Sequence, residues 1–383
     1  MVIMSFNHLP SPTHITTDHD LRDLVEILRF APVIAVDTES NSLYAYAGKV
    51  CLIQLSTPDC DYIIDPLTIE DMSPLGMLFA SDEIEKVFHA AEYDIICLRR
   101  DFGFEIHRLF DTMYAARFVE GSMSGLGDLL QKHFGIHTNK KHQLDNWGVR
   151  PLPEDSLRYA QMDTHYLPRL RDHYYQEIVA RNAWDEMTEV FADIARADGK
   201  EQIFDPDGYW KLVKPHELNK RQMAVLAELY QTRDAIAQEM DLPPFKVIEN
   251  RVLVKLALHS PSNRRELSEM RGLRSDLIRI YADDLLDAID RGHQAAPPRP
   301  PAPERLDQTV ADRYVVLHAW RKEKAAERHL ESNMVISKQT LWLLAEKPPH
   351  TIDELRAVPG IGPWRAAHYG SEILSILHPR RRA

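Results

Sequence analysis

The stretch VIAVDTES, from Val33 to Ser40, decides the fold, because it joins an apolar run to two closely spaced carboxylates. Four apolar residues have the composition of a buried strand, and Asp37 and Glu39 follow them directly. Residues two apart in a strand point to the same face, so the two carboxylates would lie side by side. Like charges at that distance repel each other unless a cation offsets the repulsion. The stretch therefore predicts a buried strand that ends at a metal-binding edge of a sheet.

Strand and helix patterns alternate through the first half of the chain. PVIAVDTE, KVCLIQLST and CDYIID are three short β-rich runs, and their closeness predicts an antiparallel meander. HDLRDLVEILRF has helical spacing with Asp18 or Asp20 as the expected cap. KVFHAA predicts a further strand, which leads into a helix over EYDIICLRRDF. A meander followed by strand–helix alternation predicts an α/β fold of the ribonuclease-H-like type.

Beyond Trp210 the patterns are helical only. A group of short amphipathic helices is followed by QAAPPRPPAPE, whose five prolines between Pro297 and Pro303 predict a stiff spacer. A second helical group comes next, and each group places an EL helix start before a glycine-containing turn, MRGLRSDLI in one and VPGIGPWRAA in the other. We therefore expect two small all-α helical bundles, related as a diverged tandem repeat and tethered by the spacer.

Two further carboxylates would complete a site for divalent cations. Asp94 falls in the first turn of the helix after KVFHAA, and Asp163 follows Tyr159 by four residues, so the last two side chains share one helix face. Each residue alone has a simpler explanation: a turn cap for Asp37, a helix N-terminal charge for Asp94, or a surface pair for Tyr159 and Asp163. Asp111, which repeats the DT dipeptide, is interpreted as a helix cap. Only the combination indicates a two-metal site.

The order of DTE, HAAEYD and YAQMD resembles the three motifs of the DEDD superfamily of 3′→5′ exonucleases, in its tyrosine-bearing branch. WGVRPLPEDSLRYAQMDTHYL is similar to a stretch of the ribonuclease D family, and VPGIGPWRAAHYGSEIL resembles the helicase-and-ribonuclease-D C-terminal (HRDC) domain. The resemblance covers nearly the whole chain. It implies a ribonuclease-H-like exonuclease domain over residues 1–200, HRDC-like domains over 211–292 and 305–383, and a proline-rich linker over 293–304.

The resemblance also implies a role for each candidate residue. Four metal-binding carboxylates are implied: Asp37, Glu39, Asp94 and Asp163. Asp37 would bridge two divalent metal ions, with Mg²⁺ expected and Mn²⁺ as the alternative, and Tyr159 would orient the attacking water. These five side chains are the predicted catalytic set. His89 is expected to be a strand-end residue rather than a catalyst, and its contact with substrate stays open.

One stretch departs from the family pattern. Ribonuclease D commonly has Q-x-S-D-W before R-P-L, whereas this chain has QLDNW, with Asp145 in place of the Ser and Asn146 in place of the Asp. Trp147 and Arg150 match the pattern, and we expect them to brace this loop against the core. The departure leaves the metal carboxylates intact and is expected to affect only the contacts of the loop with substrate.

Charge is distributed unevenly along the chain, whose formal net charge is −12. Residues 1–214 hold 20 Lys and Arg against 35 Asp and Glu, whereas residues 305–383 hold 13 against 9. Because carboxylates repel a polyanion, affinity for RNA would come partly from the basic C-terminal domain, through RKEKAAERH and the final RRR. Trp320 and Trp342 lie there at spacing typical of a helix core. The GIG stretch fits either a backbone nest for phosphate or a plain interhelical turn.

The chain lacks the patterns of a membrane or secreted protein. No apolar run approaches the roughly 18 residues that span a bilayer, and the N-terminal segment has no basic start followed by a long apolar core. Cys51, Cys60 and Cys97 are odd in number, lie in apolar sequence and have no CxxC spacing. We interpret them as reduced core thiols and expect a cytoplasmic protein.

These patterns favour a 3′→5′ exoribonuclease that trims tRNA precursors and other structured RNA and releases 5′-nucleotides. The alternative is a DNA 3′→5′ exonuclease of repair or proofreading type, since its metal site would be the same. The tandem helical repeats, and the lack of a polymerase or helicase segment, favour RNA. A nuclease-like scaffold without catalysis is a third possibility, and the presence of all four carboxylates and Tyr159 argues against it. No membrane and no obligate protein partner are expected.

Overall fold

A six-stranded sheet forms the centre of the larger of two structural units. The computed structural model describes residues 9–121, 125–197, 204–301 and 307–379. The larger unit comprises Met1–Glu39, Val50–Lys200 and Arg305–Ala383. The smaller unit comprises Ser40–Lys49 and Glu201–Glu304.

The sheet combines parallel and antiparallel strands. Its strands are β1 (Thr13–Ile15), β2 (Val33–Ser40), β3 (Val50–Ser56), β4 (Asp61–Ile64), β5 (Glu85–Phe88) and β6 (Leu109–Asp111). Their order across the sheet is β1-β4-β3-β2-β5-β6. The antiparallel pairing predicted for the meander is confirmed for β3 with β4, whereas β2 with β5, β5 with β6, and β1 with β4 pair in parallel. The sequence pattern does not predict β1 and β6, because three residues are too few to show a period of two.

Eight α-helices belong to the described residues of the larger unit before residue 198. They are α1 (Asp18–Leu28), α2 (Ser73–Phe79), α3 (Glu92–Phe102), α4 (Thr112–Glu120), α5 (Leu126–Phe134), α6 (Glu154–His165), α7 (Leu167–Ala180) and α8 (Trp184–Ala195). The bounds of α3 match the predicted stretch EYDIICLRRDF. Asp111 caps α4, as predicted, and its carboxylate accepts two backbone N–H groups of the first turn. The cap expected for α1 is wrong, because Thr17 caps that helix and both aspartates lie inside its first turn.

Helices α3 and α6 both contact β3, which is buried along its whole length. A strand covered on both faces needs no alternation of polar and apolar residues, which explains the nearly continuous apolar run in KVCLIQLST. This packing holds the two helices that bear Asp94 and Asp163 against the middle of the sheet. The sequence therefore positions the candidate residues through its buried strands.

The first helical module consists of five helices in the smaller unit. They are α9 (Lys220–Glu239), α10 (Pro244–Val247), α11 (Asn250–His259), α12 (Arg264–Glu269) and α13 (Ser275–Gln294). The segment Ser40–Lys49, which follows β2 in the chain, packs with this module. The Tyr46 hydroxyl donates to the Asp234 carboxylate at 2.8 Å, and the Tyr46 backbone N–H donates to Asp241 at 3.1 Å. Sequence patterns do not predict this association, because the two partners are nearly two hundred residues apart.

The second helical module consists of the last five helices and lies in the larger unit. They are α14 (Gln308–Glu327), α15 (Ser332–Val335), α16 (Lys338–Glu346), α17 (Ile352–Arg356) and α18 (Pro363–Leu377). Met334 of this module belongs to the same hydrophobic core as Val190 and Phe191 of α8. The expectation that the spacer tethers this module as a separate bundle is therefore wrong. Residues 302–306, which include the end of that spacer, and the final RRR lie outside the described residues.

Aromatic residues of the second helical module divide between core and surface. Trp320 is buried, as expected, and its indole N–H donates to Glu372 at 2.7 Å. Trp342 is only half-buried, and its ring stacks on Tyr314 with 4.0 Å between ring centres. The Trp342 side chain therefore keeps an accessible face.

The expected burial of the three cysteines and the expected lack of a membrane span can be compared with the structure. Cys51 and Cys97 are buried, whereas Cys60 is exposed. The core position expected for Cys60 is wrong because this residue lies in the tight connection between β3 and β4, where its carbonyl accepts the Thr57 N–H at 2.9 Å. Within the described ranges, no helix is both long and apolar enough to cross a bilayer.

Candidate active site

The end of β2 brings together three of the four predicted metal carboxylates. One carboxylate oxygen from each of Asp37, Glu39 and Asp163 lies within 4.8 Å of the others. Asp37 and Glu39 share one face of β2 because they are two residues apart, and α6 delivers Asp163 to the same point. A group of carboxylate oxygens at this spacing suits hard divalent cations.

Asp94 lies at the edge of this group. It is buried in the first turn of α3, and its Oδ1 accepts a hydrogen bond of 2.5 Å from the Thr38 hydroxyl. The oxygens of Asp94 fall outside the set of three carboxylates that share the 4.8 Å spacing. Its charge nevertheless raises the pKa values of Asp37 and Glu39, after the larger effect of burial. The structure thus places Asp94 within electrostatic reach of the other carboxylates.

Tyr159 lies one turn before Asp163 in α6, so the two side chains lie on the same face of the helix. Burial raises the pKa of the Tyr159 phenol well above its ordinary value, and the charges of Asp163, Glu39 and Asp37 raise it further. The phenol therefore keeps its proton at neutral pH. Its ring packs near Trp147, with 6.3 Å between ring centres. Tyr159 can act as a fixed hydrogen-bond donor beside the carboxylates.

The electrostatics of the group favour a bound cation. Burial, followed by the charges of neighbouring carboxylates, raises the pKa of Asp37 well above its ordinary value and that of Glu39 to about 9. Burial raises the pKa values of Asp94 and Asp163 to about 7. Each charged neighbour that acts on Glu39 is another carboxylate. Divalent cations would compensate this negative charge, and the all-oxygen donor set fits them.

A cavity of about 390 Å³ opens onto these residues. Asp37, Glu39, Tyr159 and Asp163 line it, together with His89 and Lys140. Lys140 brings a cation to a lining whose other charged side chains are carboxylates, so it is suited to contact a phosphate. Sequence patterns do not single out this lysine, because only the fold of the loop that contains it brings it near β2.

His89 lies in the cavity wall, and its hydrogen bonds determine its tautomer. The Thr112 hydroxyl donates to the Phe88 carbonyl at 3.0 Å, so its oxygen accepts from His89 Nδ1 at 2.9 Å. Burial, and then the charge of Arg117, lower the pKa of His89 to about 4. His89 is therefore neutral at physiological pH, with Nε2 as an acceptor. Its location at the end of β5 agrees with the expected strand-end role.

The loop that departs from the family pattern is braced against the sheet. The Arg150 guanidinium donates twice to Asp65, at 2.5 and 2.8 Å, and once each to the carbonyls of Trp147 and Cys51 at 2.7 Å. Trp147 is almost fully buried. The bracing role expected for Trp147 and Arg150 is confirmed.

Asp145, one of the two departing residues, forms hydrogen bonds within the loop and with α6. It accepts a hydrogen bond of 2.6 Å from the Ser156 hydroxyl, and its oxygen lies 2.8 Å from His142 Nδ1. Its charge also raises the pKa of Glu39. The metal carboxylates are in place beside the departing loop, and the effect of the departure on substrate contacts stays a prediction.

A buried hydrogen-bond network that sequence patterns do not reveal holds α6 in place. Asp61 accepts from Gln161 Nε2 at 2.5 Å and from the Ser56 hydroxyl at 2.7 Å, and lies 2.8 Å from His165 Nδ1. Gln161 and His165 flank Asp163 in the chain. Asp61 therefore fixes the stretch of α6 that presents Asp163 to the cavity.

Comparisons with known proteins agree with this fold. A family model described as a 3′-5′ exonuclease matches residues 12–178, and a model of the HRDC domain matches residues 222–289 and 311–377. The chain is similar to ribonuclease D of Granulibacter bethesdensis, with 30% identity over 395 residues, which cover 97% of this chain and 94% of that protein. The fold and the site thus define a 3′-5′ exonuclease with HRDC domains. The chain belongs to the ribonuclease D family.

Further similarities support the same assignment. A crystal structure of Escherichia coli RNase D, described as an exoribonuclease involved in structured RNA processing, has a TM-score of 0.65 and 25% identity, covering 96% of this chain and 99% of that one. Protein RRP6-like 2 of Arabidopsis thaliana is 33% identical over 288 residues, or 72% of this chain. The chain spans only 33% of the length of that relative. The expected family and fold class are confirmed, whereas the roles of the individual site residues stay predictions.

Proposed function

We propose that the chain is a 3′→5′ exoribonuclease that trims the 3′ ends of tRNA precursors and other structured RNA. The observation that supports this most directly is the convergence of Asp37, Glu39 and Asp163 at the end of β2, with the Tyr159 phenol beside them. Membership of the ribonuclease D family supports RNA as the substrate. The similarity to an E. coli enzyme described as processing structured RNA supports the substrate class.

The proposed reaction is hydrolysis of the terminal phosphodiester bond. Two divalent cations, with Mg²⁺ preferred and Mn²⁺ as the alternative, would lower the pKa of a water and stabilise the leaving 3′ oxygen. Asp37, Glu39, Asp94 and Asp163 would hold these ions, with Asp37 shared between them. The oxygen of a water would bond to phosphorus, the bond from phosphorus to the 3′ oxygen would break, and a proton of the water would end on that 3′ oxygen. The products are a 5′-nucleotide and an RNA shortened by one residue.

Other side chains would position the reactants. The Tyr159 phenol, which keeps its proton, would hold the attacking water in line with the scissile bond. Lys140 would contact a phosphate of the RNA strand in the cavity. Thr38 would orient Asp94 through their hydrogen bond. None of these roles requires a histidine base, and His89 is neutral and better suited to accept a hydrogen bond.

A second cavity, of about 720 Å³, supports binding of a longer RNA strand. It lies between α3, α4 and α8 on one side and the second helical module on the other, and its lining includes Asn333, Lys338 and the half-buried Trp342. An accessible aromatic face beside a cation suits stacking of a base and contact with a phosphate. The proposal assigns no obligate protein partner, and the cytoplasmic location stays a prediction.

Incubation of the full chain with Mg²⁺ and two matched substrates tests the proposal. The substrates are a tRNA with a short 3′ extension and a single-stranded DNA of the same extension sequence, each labelled at the 5′ end. We expect stepwise shortening of the tRNA from its 3′ end and little change in the DNA. Equal or faster shortening of the DNA would favour the repair or proofreading alternative.

Two variants separate the chemistry from a contaminating activity. Asp37→Asn and Asp163→Asn each remove a carboxylate while keeping nearly the same shape, so we expect both to abolish shortening and to stay folded. Full turnover by either variant at saturating Mg²⁺ would contradict the assigned metal site. Shortening by the wild type in excess chelator would contradict the need for divalent cations.

A further inference from the structure

Helix α8 presents three acidic side chains to the second helical module. Glu186, Glu189 and Asp193 are spaced by three and four residues, so they lie on one face of α8. Their side chains are only 4%, 11% and 10% exposed. Buried carboxylates require partners, because removing an unpaired charge from water is costly. Each of the three has a partner in the second helical module, and Asp193 also pairs with Arg196 at the end of α8.

Glu189 lies in a nest of backbone N–H groups at the start of α18. The Trp364 N–H donates to Glu189 Oε1 at 2.6 Å, and the N–H groups of Gly362 and Arg365 both donate to Oε2 at 3.2 Å. Backbone donors at the N-terminus of a long helix are typical of sites that bind a phosphate. Here a carboxylate of the same chain occupies that position.

The two glycines of the GIG stretch allow this approach. A Cβ on Gly362 would lie 2.3 Å from the carboxyl carbon of Glu189. Gly360 has a φ of +92°, which favours glycine, and a Cβ there would lie 2.0 Å from the Thr340 hydroxyl and 3.1 Å from Asp193. The glycines therefore fit a nest that is closed by α8.

Two arginines complete the interface. Arg365 is 1% exposed and donates to Asp193, to the Gly360 carbonyl at 2.9 Å and to the Met334 carbonyl at 3.1 Å. Arg328 forms two hydrogen bonds with Glu186, at 2.5 and 2.6 Å. Paired guanidinium and carboxylate groups of this kind hold two surfaces in one orientation. All three acidic residues of α8 are thus matched by donors of the second helical module.

We propose that the anion-binding nest of the second helical module is a docking receptor for α8, with Glu189 in the position that a phosphate would otherwise take. The partner of this surface is an acidic helix face of the same chain, and RNA does not use the nest. Contacts of the module with RNA then fall on other residues. This inference does not rest on the proposed catalytic activity, since it concerns only how the module is held.

Amide hydrogen exchange of the full chain tests the docking directly. The N–H groups of Gly362, Trp364 and Arg365 are the reporters, read from peptides that span the turn. In Glu189→Ala we expect their exchange to quicken by about tenfold or more, because each loses its acceptor. Addition of acetate, which can fill the vacated carboxylate position, is expected to restore part of the protection. Asp185→Ala, an exposed acidic residue of the same helix, is the matched control and should leave the exchange unchanged.

A second experiment uses the wild-type chain and needs no variant. A tRNA with a short 3′ extension is added in chelator, so that it binds without being cleaved. We expect no change in the exchange of the three nest amides. Unchanged protection in Glu189→Ala would overturn the docking role of Glu189. Faster exchange on addition of RNA would show that Glu189 leaves the nest, and a new protection pattern would show that a phosphate enters it. Either result would overturn the inference even if the chain proved to be an active exoribonuclease.

Discussion

The Thr38 hydroxyl donates a hydrogen bond of 2.5 Å to Oδ1 of Asp94, and so joins the middle residue of the DTE stretch to the first turn of α3. Burial raises the pKa of Asp94, and this hydrogen bond acts in the opposite direction by stabilising the ionised carboxylate. An ionised Asp94 is the form that binds a cation. Thr38 therefore both orients the Asp94 side chain and favours the charged state of its carboxylate.

Replacement of Thr38 tests this relationship. Thr38→Val keeps the size of the side chain and removes the donor, so we expect turnover to fall roughly tenfold, the scale of one hydrogen bond to a charged group. The Mg²⁺ concentration needed for half-maximal activity should rise, because Asp94 is less often ionised and less well oriented. Thr38→Ser, which keeps the hydroxyl, is the control and should retain most activity. Wild-type metal dependence in Thr38→Val would contradict the role.

Stability of the metal-free protein should depend on pH in an unusual direction. The folded state raises the pKa of Glu39 to about 9 and that of Asp163 to about 7, whereas unfolded carboxyl groups titrate near about 4. Between these values the folded state binds more protons than the unfolded state, so the free energy of unfolding falls as the pH rises. We expect the Tm in chelator to decrease from about pH 5 to about pH 9.

Two additions separate this effect from general alkaline destabilisation. Saturating Mg²⁺ should flatten the decrease, because the cation replaces protons as the counter-charge. Asp163→Asn should flatten it as well, since one raised carboxyl group is removed. A Tm that rises with pH in chelator would contradict the electrostatic description of the site.

Tyr159→Phe tests whether the phenol positions water or binds metal. The variant removes one hydroxyl from a buried ring, and we expect turnover to fall by about 10²-fold, the scale of a single positioned catalytic group. Metal affinity, measured by titration of Mg²⁺ against Tm, should stay near that of the wild type. Full activity of the variant would make Tyr159 a structural residue. A large loss of metal affinity would assign it to the metal site.

Sequence patterns predicted the parts of this structure that depend on local spacing. Asp37 and Glu39 share a face because they are two residues apart in a strand, and Tyr159 and Asp163 meet because they are four apart in a helix. Contacts between distant residues have no such signature. The Thr38–Asp94 bond spans 56 residues, and the contact of Glu189 with the start of α18 spans more than 170. Local patterns therefore indicated the carboxylates and gave no sign of what orients Asp94.

The second helical module is where the structure differs most from what the sequence predicts. A module on a flexible tether could be removed without harm to the exonuclease part of the chain. In the structure, however, Met334 belongs to the core around Phe191, and Arg328 pairs with the buried Glu186. Arg117 of α4 also pairs with Glu331 of the module, at 3.2 Å. Removal of the module would leave apolar surface exposed and buried charges unpaired.

Deletion of residues 305–383 should therefore destabilise the exonuclease part itself. We expect its Tm to fall well below that of the full chain, because loss of one partner from a buried ion pair alone costs roughly 3–5 kcal/mol. Arg328→Ala is the matched comparison, since it removes only the partner of Glu186 and should lower the Tm by a smaller amount. The Tm values of the truncated chain, of Arg328→Ala and of the full chain are measured by thermal unfolding in the same buffer. Cleavage of a short single-stranded RNA is the second readout. If the truncated chain kept the Tm and the cleavage rate of the full chain, the second helical module would not be part of the exonuclease core. The module would then be tethered by the spacer, as the sequence predicts.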